Sequence, residues 1–311
     1  MKLIDRRMFM KGVGGLSLGT LGLGADAFVI EPGFMLDHTP YQVTPNNWPS
    51  SLSLKIAVIA DIHACEPWMS AARVRSICEF TNALEPDLIV VLGDFNAGHS
   101  FVTAPVFPDQ WGESLAVLKA PLGVFAVLGN HDWWHGALPT MRGNGAESVR
   151  RALRSAGVQL LENDAIRLRH QNQSFWLLGL GDQMVHRLGR GVYEGSDDLS
   201  GTLAQVTDKA PIILLAHEPF IFPRVPHRVS LTLCGHTHGG QVALPFIGNP
   251  FGRTRFHHAY GHLIEDDRHL IVSAGLGTSY APVRFCRPPE VVSVMLGHPL
   301  LQSGPAHMSA S

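Results

Sequence analysis

The chain has 311 residues, 45% of them hydrophobic and 16% charged, with a formal net charge of −2 at pH 7. That balance supplies a sizeable core and excludes an intrinsically disordered chain. No long basic run is present, so no nucleic-acid partner is expected, because general affinity for nucleic acid comes mainly from lysine and arginine on phosphates.

The chain opens on Asp5-Arg6-Arg7-Met8-Phe9-Met10-Lys11, followed by glycine- and leucine-rich residues to Gly24 and then Ala25-Asp26-Ala27. Twin arginines, a short apolar stretch and small residues two apart read as a twin-arginine export signal over residues 1–27, cut after Ala27. The stretch is too short and too rich in glycine for a membrane-spanning helix, although an uncleaved signal would leave the protein tethered. The expectations are therefore the twin-arginine export machinery as a partner, a periplasmic or cell-envelope location, and membrane association where the signal is retained.

Residues 28–53 read as an irregular, proline-containing lead-in, and a rhythm of apolar runs begins at Leu54. Residues 54–60 are expected to form a buried strand. Val74, Ile77, Cys78 and Thr81 share one helical face, and Pro86 ends that helix. Residues 88–92 and 123–128 read as further strands. A helix follows with Asn144 as cap, Val149, Ala152, Leu153 and Ala156 on one face, and Gly157 as stop. Shorter strands come next, at 165–169, 175–180, 211–215, 231–234, 263–264, 270–273 and 291–296. No repeat or linker interrupts them, so one α/β domain of two packed sheets with outer helices is expected over residues 54–298. Residues 299–311 are expected to be a disordered tail. Cys65, Cys78, Cys234 and Cys286 lack Cys-x-x-Cys spacing, which argues against structural zinc; they are expected as small buried hydrophobes.

Five islands stand at the ends of the apolar runs: Asp61-Ile62-His63, Gly93-Asp94, Gly129-Asn130-His131-Asp132, Ala216-His217-Glu218 and Gly235-His236-Thr237-His238. Ligands of open α/β sheets gather at the carboxyl ends of strands, where loops carry function on a rigid base. Any single island suits an ordinary turn; five at the same kind of position point to one site. Two divalent ions about 3.5–4 Å apart form a clamp for phosphoryl displacement. Such a clamp needs a bridging carboxylate and mixed nitrogen and oxygen ligands. Asp94, alone at a Gly-Asp turn, is the natural bridge. Asp61 and His63, two apart, can turn toward one ion, and His236 and His238 can reach different ions.

In kind and order these islands resemble the calcineurin-like metallophosphoesterase superfamily, with its motifs Asp-x-His, Gly-Asp, Gly-Asn-His-Asp/Glu, a lone His and Gly-His-x-His. The resemblance implies a four-layer α/β/β/α sandwich of two mixed sheets with outer helices. It implies two divalent metal ions, drawn from Mn²⁺, Fe²⁺/Fe³⁺ or Zn²⁺. Asp61, His63, Asp94 and His238 would hold the first, and Asp94, Asn130, His217 and His236 the second. His131 would then be the catalytic histidine near the leaving group, oriented by Asp132. Gly235 to Gln241, Gly275-Leu276-Gly277, Pro282-Val283-Arg284-Phe285 and Pro288-Pro289-Glu290 resemble one bacterial branch of exported or membrane-anchored phosphodiesterases. That branch includes enzymes acting on UDP-2,3-diacylglucosamine. After the first motif, where a small residue is usual, the chain has Ala64-Cys65.

The expected activity is hydrolysis of a phosphodiester or pyrophosphate by a metal-bound hydroxide, on phosphate esters that include lipid-linked or cell-envelope ones. The alternatives are an exported phosphomonoesterase and a non-catalytic, metal-bearing scaffold. Trp133 and its neighbour Trp134 are candidate walls for the leaving group. In the loop at 244–256, Arg253 and Arg255 are candidate substrate contacts, since guanidinium matches phosphate bidentately. Arg284 and Glu290 are read as structural residues, ion-paired with each other.

Overall fold

Uninterrupted aliphatic runs such as Leu88–Leu92 make strands that are buried along their whole length. Two six-stranded sheets are built from them in the computed structural model, which describes residues 22–134, 146–244, 246–248 and 258–297. The first sheet runs Asp37–Val43, Glu290–Leu296, Leu54–Ile59, Leu88–Leu92, Val124–Val127 and Gln159–Leu160. Its neighbours are parallel except Glu290–Leu296 against Leu54–Ile59. The second runs Gly261–Glu265, Arg268–Val272, Val229–Cys234, Ile212–Leu215, Gln173–Gly179 and Asp164–His170. It is parallel in the middle and antiparallel at both edges.

Ile56, Val58, Val90, Leu92 and Val127 of the first sheet pack on Leu177, Ile213, Leu215, Leu231 and Leu233 of the second. The outer face of the first sheet carries helices Ala71–Ala83, Pro108–Leu115 and Glu147–Ser155, seated through Val74, Ile77, Trp111, Leu115, Val149 and Leu153. Ser70 caps the first of these, its hydroxyl accepting the Arg73 N–H at 3.2 Å. The fourth layer is thin: helix Leu199–Ala204 and the 3₁₀ turn Pro219–Arg224 cover the second sheet through Leu203, Ile221 and Phe222. The architecture is a layered α/β sandwich of two mixed sheets with outer helices.

Residues 28–53 are not irregular throughout. Asp26–Ile30 and Glu31–Phe34 are helical, and Asp37–Val43 pairs in parallel with Glu290–Leu296 along its full length. An edge strand needs hydrogen bonds on one side only, so Pro40 is tolerated there. Three cysteines are buried as expected, but Cys286 is exposed, and all four are free thiols. The twin arginines, Asn144 and the residues from 298 onward lie outside the described residues. Among the described residues no helix is long and apolar enough to cross a membrane.

Leu177 sits fully buried between the sheets. Leu177→Ala is expected to lower stability by about 2–5 kcal/mol, read from the urea midpoint. An unchanged midpoint would show that the two sheets do not share this core.

Candidate metal centre

Strands Leu54–Ile59, Leu88–Leu92, Val124–Val127, Ile212–Leu215 and Val229–Cys234 bring the five islands together at one edge of the sandwich. There the backbone turns left-handed at Asp61 (φ 50°), His63 (φ 44°), Asp94 (φ 55°), His236 (φ 71°) and His238 (φ 52°). Left-handed backbone costs a residue with a Cβ about 1–2 kcal/mol, and such strain persists where surrounding structure enforces it. Close approach of the chain enforces it here. A Cβ on Gly129 would collide with Asp94 and His217, and one on Gly277 would lie 2.7 Å from the His63 Cβ.

Two clusters result. Asp61, His63 and His238 form one, and Asp94, His217 and His236 the other; within each, the ligand atoms lie within 4.8 Å of one another. One oxygen of Asp94, Oδ2, is 3.5 Å from His63 Nε2 and 3.2 Å from His217 Nε2, so it faces both clusters. Asn130 Oδ1 lies 2.9 Å from His236 Nδ1, beside the second cluster.

Backbone carbonyls orient the rings. His63 Nδ1 lies 3.0 Å from the Asn96 carbonyl, and His238 Nδ1 lies 3.2 Å from the Gly277 carbonyl. A carbonyl only accepts, so His63 Nδ1 carries the hydrogen and its Nε2 a lone pair, while His238 Nδ1 lies between its carbonyl and the Arg284 guanidinium, 3.4 Å away, which only donates. Those two Nε2 atoms face each other at 3.1 Å. His217 Nδ1 is likewise held by the Leu92 carbonyl at 2.6 Å, aiming Nε2 at the Asp94 carboxylate. Lone pairs and carboxylate oxygens converging in a buried site repel unless positive charge lies among them. Divalent cations fit this set of imidazole and carboxylate donors, each ring oriented by its second nitrogen.

Burial pushes the Asp61 carboxyl up to about 7, with His217 pulling it back and Asp94 adding to the rise. Burial lowers His63 to about 4 and His238 well below its ordinary value, keeping both rings neutral. At Asp94 burial is outweighed by His217 and His131, which hold the carboxyl well below its usual range. At His217 burial is outweighed by Asp94, and the ring is pushed well above its ordinary value. A cation between this pair would take the place of that proton.

His131 belongs to neither cluster. Its backbone N–H donates to Asp94 Oδ1 at 2.7 Å, its ring stands edge-on to His63 at 4.7 Å, and Nε2 lies 3.4 Å from Ser279 Oγ. Ser279 had no motif to announce it. Asp132 does not do what the resemblance implies. Its two oxygens accept the backbone N–H groups of Gly129 (2.9 Å), Asp94 (3.0 Å), Phe95 (2.8 Å) and Asn96 (3.4 Å), which engages it with the loops rather than the imidazole. Trp133 packs against the helix-side core beneath the Arg150 guanidinium, 4.8 Å away. Trp134 instead lies against His131, with ring centroids 5.6 Å apart. Arg253 and Arg255 lie outside the described residues.

Arg284 and Glu290 do not pair with each other. The fully buried Arg284 guanidinium donates to the carbonyls of Gly277 (2.6 Å), Ala274 (2.8 Å) and Arg287 (2.9 Å). Glu290 accepts the Ala274 N–H at 2.7 Å and the Thr39 hydroxyl at 2.5 Å. Both hold the 274–277 turn, whose Gly277 carbonyl orients His238.

Asp94→Asn removes the charge shared by both clusters. It is expected to reduce bound metal from two ions to one or none per chain, measured by elemental analysis; two retained ions would remove the bridging role. Below about pH 7 the Asp61 carboxyl takes up a proton, so proton and metal compete. Metal affinity is expected to fall by up to about tenfold per pH unit as pH drops from about 7 to about 5, the effect of one displaced proton. Affinity flat across that window would contradict the assignment.

Comparison with known proteins agrees with this geometry. The family model for calcineurin-like phosphoesterases matches residues 54–240, which include all five islands. The chain is 30% identical to the uncharacterized metallophosphoesterase YkuE of Bacillus subtilis, over 94% of this chain and 97% of that protein. It is 28% identical to the phosphodiesterase YaeI of Escherichia coli, over 92% of this chain and 97% of that protein. It is 27% identical to the UDP-2,3-diacylglucosamine pyrophosphatase LpxG of Chlamydia trachomatis, over 80% and 87% of the two chains. The chain belongs to the calcineurin-like phosphoesterases, a family of metal-dependent hydrolases of phosphoric esters.

Proposed function

We propose that the protein hydrolyses phosphodiester or pyrophosphate bonds, on a cell-envelope ester with a lipid-like part. The observation that carries this reading is the single Asp94 oxygen facing two ligand clusters, with His131 beside them and in neither. Asp61, His63 and His238 would hold one ion, and Asn130, His217 and His236 the other, with Asp94 common to both. Two divalent ions there supply positive charge for the phosphoryl oxygens and acidify a water. His131 gives a proton to the departing oxygen, its backbone fixed on Asp94 and its ring set between His63 and Trp134. The leaving group departs as an alkoxide from a diester or as a phosphate from a pyrophosphate, and such a proton lowers the barrier. The names of two relatives support the substrate class: one is a phosphodiesterase, the other a pyrophosphatase of a diacylated sugar nucleotide.

Manganese-loaded protein is expected to cleave bis-p-nitrophenyl phosphate with a kcat/KM at least about tenfold above that for p-nitrophenyl phosphate, a difference near 1.4 kcal/mol, and to lose turnover with EDTA. The opposite preference would indicate an exported phosphomonoesterase. Absence of turnover with both ions bound would indicate a scaffold. His131→Ala is expected to keep both ions yet lower kcat by about 10²–10⁴ on a diester with an alkyl leaving group; full turnover would end the acid assignment.

The twin-arginine reading extends this to a place beyond the cytoplasmic membrane, reached by a protein already folded around its ions. Replacing Arg6 and Arg7 by lysine is expected to retain the protein in the cytoplasm, as followed by cell fractionation. Unchanged export would rule out the route.

A further inference from the structure

Between strands Gln173–Gly179 and Ile212–Leu215 stands an element that belongs to neither large sheet. It is an antiparallel hairpin of His186–Gly189 and Val192–Glu194. Its turn residues Arg190 and Gly191 both have positive φ, 51° and 75°, as a type I′ turn requires.

Two anchors set this hairpin over the metal centre. At its foot the Ser196 N–H donates to the Asp182 carbonyl at 2.7 Å, closing the loop. Gln183 donates to Glu218, its N–H to Oε2 at 3.2 Å and its Nε2 to the carbonyl at 2.9 Å, and Glu218 directly follows the ligand His217. On its flank lies Trp134, the residue against His131. The Arg187 guanidinium sits 3.4 Å over the Trp134 ring, Tyr193 stacks on it at 5.8 Å, and its Nε1 donates to the Val185 carbonyl at 3.0 Å. The hairpin and the loop at its foot are therefore joined to the segments that carry His217 and His131.

Its composition is not that of a packing element. Leu188 is 62% exposed, Val192 55% and Tyr193 40%. Among the described residues neither Arg187 nor Arg190 makes an ion pair. The hairpin's only acid, Glu194, lies at its far end opposite His186.

We propose that this hairpin, with Trp134, is the subsite for the leaving group, and that it takes a leaving group carrying an anionic group beside an apolar body. The inference rests on the phosphodiester reading above. Two uncompensated guanidinium groups match phosphate oxygens in their fork geometry, and the exposed apolar side chains gain by being covered. A pyrophosphate diester has this chemistry. Water's oxygen bonds to the attacked phosphorus and the bridging P–O bond breaks. Its electron pair departs with the second phosphate, which carries the organic body, and the water's protons pass to the two products or to solvent.

The test compares manganese-loaded wild type with the Arg187→Ala/Arg190→Ala double variant on bis-p-nitrophenyl phosphate, UDP-glucose and CDP-dioctanoylglycerol. The double variant is expected to raise KM for the two pyrophosphate diesters about tenfold or more, the loss of a charge-assisted contact. Bis-p-nitrophenyl phosphate, whose leaving group lacks a second phosphate, should have its KM raised at least about fivefold less by the same reasoning. A second double variant, Leu188→Ser/Val192→Ser, separates the two sources of the apolar body. A KM rise confined to CDP-dioctanoylglycerol assigns it to acyl chains, and one shared by both substrates assigns it to the nucleoside that both carry; either supports the subsite. Three results overturn it while the phosphodiester reading stands: unchanged KM on both pyrophosphate diesters in the arginine variant, uniform loss on all three substrates, or wild type that cleaves only bis-p-nitrophenyl phosphate. Wild type with both ions bound that cleaves none of the three overturns both readings.

Discussion

Three buried imidazoles and two carboxylates aim acceptor atoms into one dry volume at the edge of the sandwich, and the rest of the design answers that repulsion. Peptide carbonyls of Asn96, Gly277 and Leu92 lie at the Nδ1 atoms of the three rings, which turns each Nε2 toward the centre. Five left-handed residues turn the side chains inward. Each of these features is unfavourable alone. Left-handed backbone costs about 1–2 kcal/mol per residue, and unpaired acceptors in a buried site cost more than exposed ones. Positive charge bound there relieves the repulsion, so ion binding and folding stability are linked at this edge.

Two buried side chains brace the centre by opposite chemistry. Asp132, whose carboxyl burial pushes up to about 7, accepts backbone N–H groups from the loops after Leu88–Leu92 and Val124–Val127. Arg284, a cation, gathers carbonyls from the 274–277 turn and from Arg287. The N-terminal helical segment completes the second brace: Glu31 accepts the N–H groups of Cys286 and Arg287, and the Ala27 carbonyl accepts that of Arg284. Residues just beyond the expected cut after Ala27 are therefore in contact with the scaffold of the first cluster. This gives a physical reason why a segment without an apolar pattern is ordered.

Strands whose burial is two-sided were the clearest parts of the fold in sequence. Leu88–Leu92 and Ile212–Leu215 are apolar at every position because both faces are covered. Asp37–Val43 could not be read that way, since only its last residue is fully buried and it lies at an edge. The hairpin at 186–194 is exposed on both strands and shows no alternation. The ligand residues were legible because metal chemistry restricts residue type at fixed spacing. Roles carried by backbone geometry were not: Asp132 at loop N–H groups, Arg284 at carbonyls and Ser279 beside His131 depend on which segments meet in space.

The Trp133-Trp134 pair shows how local geometry divides two identical residues between structure and recognition. Both lie on the short helix Asn130–Trp134, where successive side chains point about 100° apart. They cannot share an environment. Trp133 is directed to the helix-side core and Arg150, and Trp134 to His131 and the hairpin. The same short helix also begins with Asn130 and His131, so one turn carries a candidate ligand, the proposed proton donor and the proposed wall for the leaving group. A change that rotates this turn would disturb all three together, whereas a change on the hairpin reaches them through Trp134, on which Arg187 and Tyr193 pack. In the proposed reading, reaction chemistry lies on this helix and substrate choice on the hairpin, and the two elements meet at the Trp134 ring.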